Sequence, residues 1–174
     1  MRDQHPEAQV RLLDYQPHHQ PDFKRLNAAW IERYFRLEAA DLRALDHPDE
    51  YILQPGGHIF LADYQGQLVG TCALIKLAPD RYELAKMAVA PAAQGLGIGR
   101  RLGEAAIAKA RALGARWLYL ESNTRLGPAL ALYRKLGFRK IEAGPPSPYA
   151  RCDIQMELVL DSDGDGATAF HKAL

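Results

Sequence analysis

Between Met87 and Ala115 the chain reads MAVAPAAQGLGIGRRLGEAAIAKARALGA. An apolar run stops at Pro91, crosses Gly95, Gly97 and Gly99, and resumes as a long Ala- and Leu-rich segment that carries Arg100, Arg101, Lys109 and Arg111. Where a strand gives way to a helix, the first backbone N–H groups of the helix lack an intrahelical acceptor, and the helix dipole adds positive potential at the same point. Glycines there let an anion approach the main chain without meeting a Cβ. Such a junction can hold a phosphate or pyrophosphate by backbone alone. A plain strand-to-helix turn has the same composition, so the spacing of the glycines has to decide.

Two phosphate-binding devices do not fit. A dinucleotide fingerprint needs G-x-G-x-x-G, but the closing position is Arg100 when the pattern starts at Gly95 and Leu102 when it starts at Gly97. A P-loop needs Gly-Lys-Ser/Thr, and Gly99 is followed by Arg100-Arg101. The remaining pattern is Q-x-x-G-x-G, formed by Gln94, Gly97 and Gly99.

Other candidate chemistry is weak. Cys72 and Cys152 lie far apart, in neither CxxC nor Cys/His spacing, and read as two small buried hydrophobes in strands. The histidines form no HxxH or HExxH pattern, so no metal is expected. The tail DSDGDGATAFHKAL imitates the start of a calcium loop at Asp161, Asp163, Asp165 and Gly166, but Lys172 stands where the bidentate Glu belongs. It reads as a solvated polar C-terminus, residues 161–174, after a single domain over 1–160.

The elements that must position the glycine turn follow from periodicity. VRLLDYQ (10–16) reads as a first strand. PDFKRLNAAWIERYF opens with a helix-favouring Pro21 and spaces Phe23, Leu26, Trp30 and Tyr34 as an amphipathic helix. A second helix follows and breaks near His47-Pro48. HIFLADYQGQLVGTCALIKL alternates on both sides of Gln65-Gly66 and reads as a hairpin. YELAKMAVAP is a strand ended by Pro91, Gly97 to Leu113 a helix, and ARWLYLES a strand buried on both faces. Pro128 starts a further helix stopped at Gly137, FRKIEA returns as a strand, and ARCDIQMELVL (150–160) is the last. The order β, α, α, β, β, β, α, β, α, β, β describes an α/β chain with an antiparallel first half and crossover helices later.

Charge and hydropathy narrow the partners. The 174 residues carry 22 basic and 21 acidic side chains, a net +1, so no global field points to nucleic acid or an anionic membrane surface. No apolar run approaches the ~20 residues of a spanning helix, and MRDQHPEAQVRLLDYQ has no secretory pattern, which sets a cytoplasmic location as the expectation.

Taken in order, ELAKMAV before the turn, the Q-x-x-G-x-G turn itself, ESN after the next strand and ALALYRKLGF together resemble the GNAT-type N-acetyltransferase superfamily. The similarity runs over roughly residues 58–142, and LNAAWIERYF and SPYARCDIQMEL resemble the segments that flank the core in such proteins. The resemblance implies one α/β (α+β) domain with a central mixed sheet of six or seven strands, helices on both faces, and a splay between the fourth and fifth strands. It implies acetyl-CoA as cosubstrate, its pyrophosphate held around Gln94, Gly95, Leu96, Gly97, Ile98, Gly99 and Arg100. It also implies a bulged strand at Met87, Ala88 and Val89 that pairs its backbone with the pantetheine arm and presents an N–H to the thioester carbonyl.

By the same resemblance the amine acceptor needs a base, since an alkylammonium with pKa ~10.4 is protonated at neutral pH. Glu83 stands at the offset from Val89 where some members carry a catalytic glutamate, with Glu121 as second choice. Tyr133 matches the tyrosine whose hydroxyl meets the departing sulfur, and Asn123 would hydrogen-bond the cofactor or a water. Arg100, Arg101 and Arg125 could supplement the amides at the phosphates. Trp30, Tyr34, Tyr149 and Arg151 would border the acceptor pocket, with Arg151 either gripping an acceptor carboxylate or held in a structural ion pair. The expected reaction is acetyl transfer to a primary amine by direct attack in a ternary complex. The acceptor is a small molecule or peptide, and a homodimer is an admissible assembly. Two other readings stand beside it: a catalytically silent acyl-CoA-binding or interaction protein of the same fold, and a dinucleotide-binding oxidoreductase.

Overall fold

The computed structural model describes residues 9–160, so the tail with Asp161, Asp163 and Asp165 lies outside the described residues. β1 (Val10–Asp14) leads to α1 (Gln20–Tyr34) and α2 (Ala39–Asp46), then to β2 (His58–Tyr64), β3 (Gln67–Ala78) and β4 (Arg81–Val89). α3 (Ile98–Ala112), β5 (Trp117–Ser122), α4 (Gly127–Lys135), β6 (Arg139–Ile141) and β7 (Ile154–Val159) follow. This is the order the periodicities predict. The hairpin turns on Gln65 and Gly66, both at positive φ (54° and 82°), the backbone pair that matches the twist of two antiparallel strands.

The strands form one seven-stranded sheet in the order β1-β2-β3-β4-β5-β7-β6, antiparallel throughout except between β4 and β5. α1 and α2 cover one face through Phe23 and Leu45, packed with Ile59 and Leu61. α3 covers the other through Leu102 and Ala106, over Leu74, Leu118, Leu120 and Met156. The stripe predicted on α1 divides. Phe23 and Leu26 are buried with Ile31, whereas the rings of Trp30 and Tyr34 pack at an inclined angle, centroids 5.4 Å apart, at the helix end beside the site.

Two features of the sheet and its helices create the site. The parallel pairing of β4 and β5 covers only Arg81↔Trp117, Tyr82↔Leu118 and Glu83↔Tyr119, after which the strands splay. On its other side β4 is bulged: Thr71 pairs with Ala88 and Ala73 with Ala85, so Lys86 and Met87 together oppose Cys72. Lys86 takes φ 51°, a left-handed conformation costing a side chain about 1 kcal/mol. Behind the splay α3 and α4 meet closely. A Cβ on Gly103 would lie 2.5 Å from Leu136 Cδ1 and one on Gly99 3.2 Å from Leu132 Cδ2, so two glycines one turn apart receive two leucines one turn apart. That seam seats Tyr133, the neighbour of Leu132, against the opening.

Candidate active site

The glycine turn has the backbone that its sequence requires. Gly95 (φ 82°) and Gly97 (φ 73°) are left-handed, and the first intrahelical bond of α3 runs from Arg101 N to Gly97 O at 3.1 Å. The N–H groups of Ile98, Gly99 and Arg100 therefore precede the helical ladder and face the turn. Gln94 Nε2 donates to Val89 O at 3.5 Å and ties the turn to β4. A cavity of about 390 Å³ opens there, lined by Met87, Ala88, Val89, Gln94, Gly97 and Arg100, with Gly95, Ile98 and Gly99 alongside. Leu96 does not line it; its side chain packs on the core.

The three arginines considered for this turn have separate fates. Arg100 reaches along the helix to Glu104 (2.8 Å) on the exposed surface. Arg101 points the other way and donates to Val10 O at 2.6 Å, so it braces β1 instead of the turn. Arg125 lines the cavity and lies over the Phe35 ring at 4.8 Å. Tyr34, expected at the acceptor side, borders this cavity instead.

A second cavity of about 420 Å³ adjoins the first, and Trp30, Met87, Leu126 and Tyr133 line both. Glu83, Glu121, Asn123, Tyr149 and Arg151 line the second cavity alone. Glu83 has no hydrogen-bond partner among the described residues. Burial, and then the charge of Glu121, raise its carboxyl to about 7, with Lys86 acting in the opposite sense. The Tyr133 hydroxyl likewise has no partner among the described residues, and burial, with Cys72 nearby, pushes it up to about 12, so it keeps its proton at neutral pH. Glu121 is engaged on both oxygens, by Tyr119 Oη at 3.0 Å and Ser147 Oγ at 2.5 Å. Asn123 is half spent on structure: Nδ2 donates to Arg151 O (2.8 Å) and Oδ1 accepts from Arg125 N (2.9 Å).

Sequence reasoning missed the buried charge cluster beneath this cavity. Asp41, fully buried, accepts from both Nη atoms of Arg151 (2.8 and 2.7 Å), from Lys86 Nζ (2.9 Å) and from Glu38 N (2.9 Å). Burial opposes its charge, but Arg151 and Lys86 outweigh burial and hold it at about 2. Tyr149 lies between the two cations, 4.8 Å from Lys86 Nζ and 4.4 Å from Arg151, and its hydroxyl is 3.0 Å from Lys86 Nζ. Arg151 is thus the structural ion pair of the two roles foreseen for it. The local signal was the spacing of Glu38 and Asp41, a capping box at the start of α2. Cys72 is buried as expected, but Cys152 precedes β7 and lines the second cavity. Among the described residues no group of three His, Cys, Asp or Glu could hold a metal, and no helix is long and apolar enough to cross a membrane.

Comparison with known proteins places these features in a family. The model of the Acetyltransferase (GNAT) family matches residues 18–138. YjgM, an uncharacterized N-acetyltransferase of Escherichia coli (strain K12), is 34% identical over 116 residues, 64% of this chain and 70% of that protein. An acetyltransferase of the same family from Staphylococcus aureus superposes with a TM-score of 0.80 at 21% identity, covering 87% of this chain and 99% of the other. The structure of yncA from Salmonella typhimurium, solved with its cofactor acetyl-CoA, superposes with a TM-score of 0.73 at 17% identity, covering 90% of this chain and 97% of the other.

Proposed function

This chain belongs to the GNAT acetyltransferase family, and we propose that it transfers the acetyl group of acetyl-CoA to a primary amine by direct attack in a ternary complex. The observation that carries this reading is the meeting of two cavities at the splay, with a carboxylate on one side and a phenol at the junction that have no hydrogen-bond partner among the described residues. The cosubstrate fits the residues present. A Cβ at Gly95 would meet nothing within 4 Å, the N–H groups of Ile98 to Arg100 have no helical acceptor, and β4 beyond Glu83 offers backbone toward a β5 that has departed. Acetyl-CoA supplies the activated acyl group; the rest is the work of the chain. Ile98, Gly99 and Arg100 bind the pyrophosphate by main chain, and the bulged segment Met87–Val89 holds the pantetheine arm and aims an N–H at the carbonyl.

Glu83 removes the proton that an ammonium acceptor must lose, directly or through water, since a carboxyl near 7 is partly ionised at neutrality and, once ionised, more basic than an ordinary carboxylate. Tyr133 returns a proton to the departing sulfur, which leaves more readily as a thiol. Tyr133→Phe tests this step because it keeps the ring and its edge contact with Phe138 (6.2 Å). CoA affinity should change little while turnover falls about 100-fold, the lower end of what a positioned general acid contributes. With an acyl donor whose thiol has a lower pKa the deficit should shrink. An equal deficit with both donors would reject acid catalysis, and no deficit with either would reduce Tyr133 to packing.

A further inference from the structure

If the second cavity is an acceptor pocket, its chemistry can be read from which polar groups remain unspent. Each other carboxylate around it is already engaged. Both oxygens of Glu121 accept hydroxyls, those of Asp41 accept Lys86 and Arg151, and those of Glu38 accept Ala150 N (3.0 Å) and Arg151 Nη1 (3.1 Å). The same bonds neutralise Lys86 and Arg151. Two charged side chains of the lining keep no hydrogen bond or ion pair among the described residues: Glu83 on β4 and Arg43 on α2. Arg43 stands in line with Ala40 and Ala44, which face the cavity from the same side of α2.

A third unspent group is Asn27 on α1, 2% exposed, whose Nδ2 donates to Phe23 O at 2.9 Å. That bond fixes the orientation of the amide, because a backbone carbonyl only accepts, and leaves Oδ1 as a free acceptor in the lining. Between these groups the walls are apolar: Ile31, Ile52 and Ile75, with Phe35 and Tyr51.

Resting on the reading of this site as an N-acetyltransferase, we infer that the acceptor belongs to the amino-acid class: a primary amine that also carries a carboxylate, on an apolar body. The amine N–H groups meet the two acceptors, Glu83 and Asn27 Oδ1, and the carboxylate meets the guanidinium of Arg43. A polyamine would bring a second ammonium into a lining that already holds the like charge of Arg43. A simple alkylamine would leave Arg43 without a counterpart, and a peptide N-terminus would present an amide where the guanidinium calls for an anion.

The test compares leucine and phenylalanine with their amides and with the amines left after removing the carboxylate. Binding to CoA-saturated protein is read by calorimetry and acetylation by thiol release. In the wild type the free amino acids should bind, and be acetylated with a kcat/KM, roughly 3-fold better than their counterparts, as expected of one ion pair at the exposed guanidinium of Arg43. Arg43→Gln should bring the amino acids down to the level of the other compounds, and Arg43→Lys should retain part of the preference, having the charge without the fork. Equal or better use of the amides or decarboxylated amines by the wild type would overturn the inference while leaving acetyl transfer intact. So would a preference that survives Arg43→Gln. Carboxylate-dependent binding with no turnover of any compound would support the assignment of the pocket and sink the transferase reading instead.

Discussion

At the scale of single residues, the site depends on where two groups without a hydrogen-bond partner among the described residues are forced to stand. Glu83 is the last β4 residue paired to β5, opposite Tyr119, and the splay begins beside it. It faces Glu121 on β5, with the Tyr119 hydroxyl bound to that same Glu121, and Lys86 further along its own strand. Burial and Glu121 raise the Glu83 carboxyl from an ordinary 4.5 to about 7. A base has to be ionised, so kcat/KM should climb as pH rises through about 7 and the free enzyme loses this proton. Glu83→Gln should depress the rate most near neutrality and abolish that limb, leaving only the rise that follows deprotonation of the amine itself. A variant with the wild-type profile would move the role to Glu121 or to bulk water. The stability effect has its own sign. A carboxyl whose folded pKa is raised favours the folded state below its ordinary value and loses that contribution as pH rises through about 7.

At the scale of elements, the glycine turn, α3 and the α3–α4 seam act together. Gly97 is the N-cap of α3 at φ 73°, so a β-branched replacement would strain the turn whatever it did to a ligand. Asparagine tolerates the left-handed region, which makes Gly97→Asn the informative change. It should leave the melting temperature nearly unaltered and lower CoA affinity about 10-fold or more by putting a side chain where a phosphate must approach. Calorimetry that returned wild-type affinity from the folded variant would remove the pyrophosphate from this turn. Most of this level was legible in the sequence because its causes are local. Gln65-Gly66, Pro91, Pro128 and the spacing of Leu102, Ala106 and Ala110 each act over a few residues. The Asp41 cluster was not legible, since its partners Lys86 and Arg151 lie 45 and 110 residues away and meet it only once α2, the β4 bulge and the segment before β7 are packed. The hydrogen bond from Arg101 to Val10 O, 91 residues away, was illegible for the same reason, and a helical position fixes which residues share a face, not which of two adjoining cavities a residue such as Tyr34 borders.

At the scale of the whole molecule, the splay that opens the site also weakens the connection between its two halves. β1 to β4 with α1 and α2 meet β5 to β7 through only three residue pairs of the sheet. The core under α3 spans both halves, and on the opposite face of the sheet Asp41 supplies a polar fastening. It belongs to α2 in the first half, binds Lys86 on β4, and receives both arms of Arg151 from the segment that leads into β7 in the second. Removing the charge leaves Lys86, 5% exposed, and Arg151, 17% exposed, short of an anion in a buried setting, with only Glu38 to compensate Arg151 in part. Breaking such a cluster from one side typically costs about 3–5 kcal/mol, so Asp41→Asn should lose roughly 3 kcal/mol in urea unfolding at pH 7. The sign with pH follows from the depressed carboxyl. At about 2 in the folded state against an ordinary 3.8, Asp41 contributes stability in full above its unfolded value, and that contribution is lost as pH falls from about 4 through 2. The gap between wild type and variant should therefore narrow on going from pH 7 to pH 3, while a neutral substitution elsewhere on α2 would show a constant gap. A difference that is absent at pH 7, or equally large at both, would mean that the charge of Asp41 does not hold the halves together.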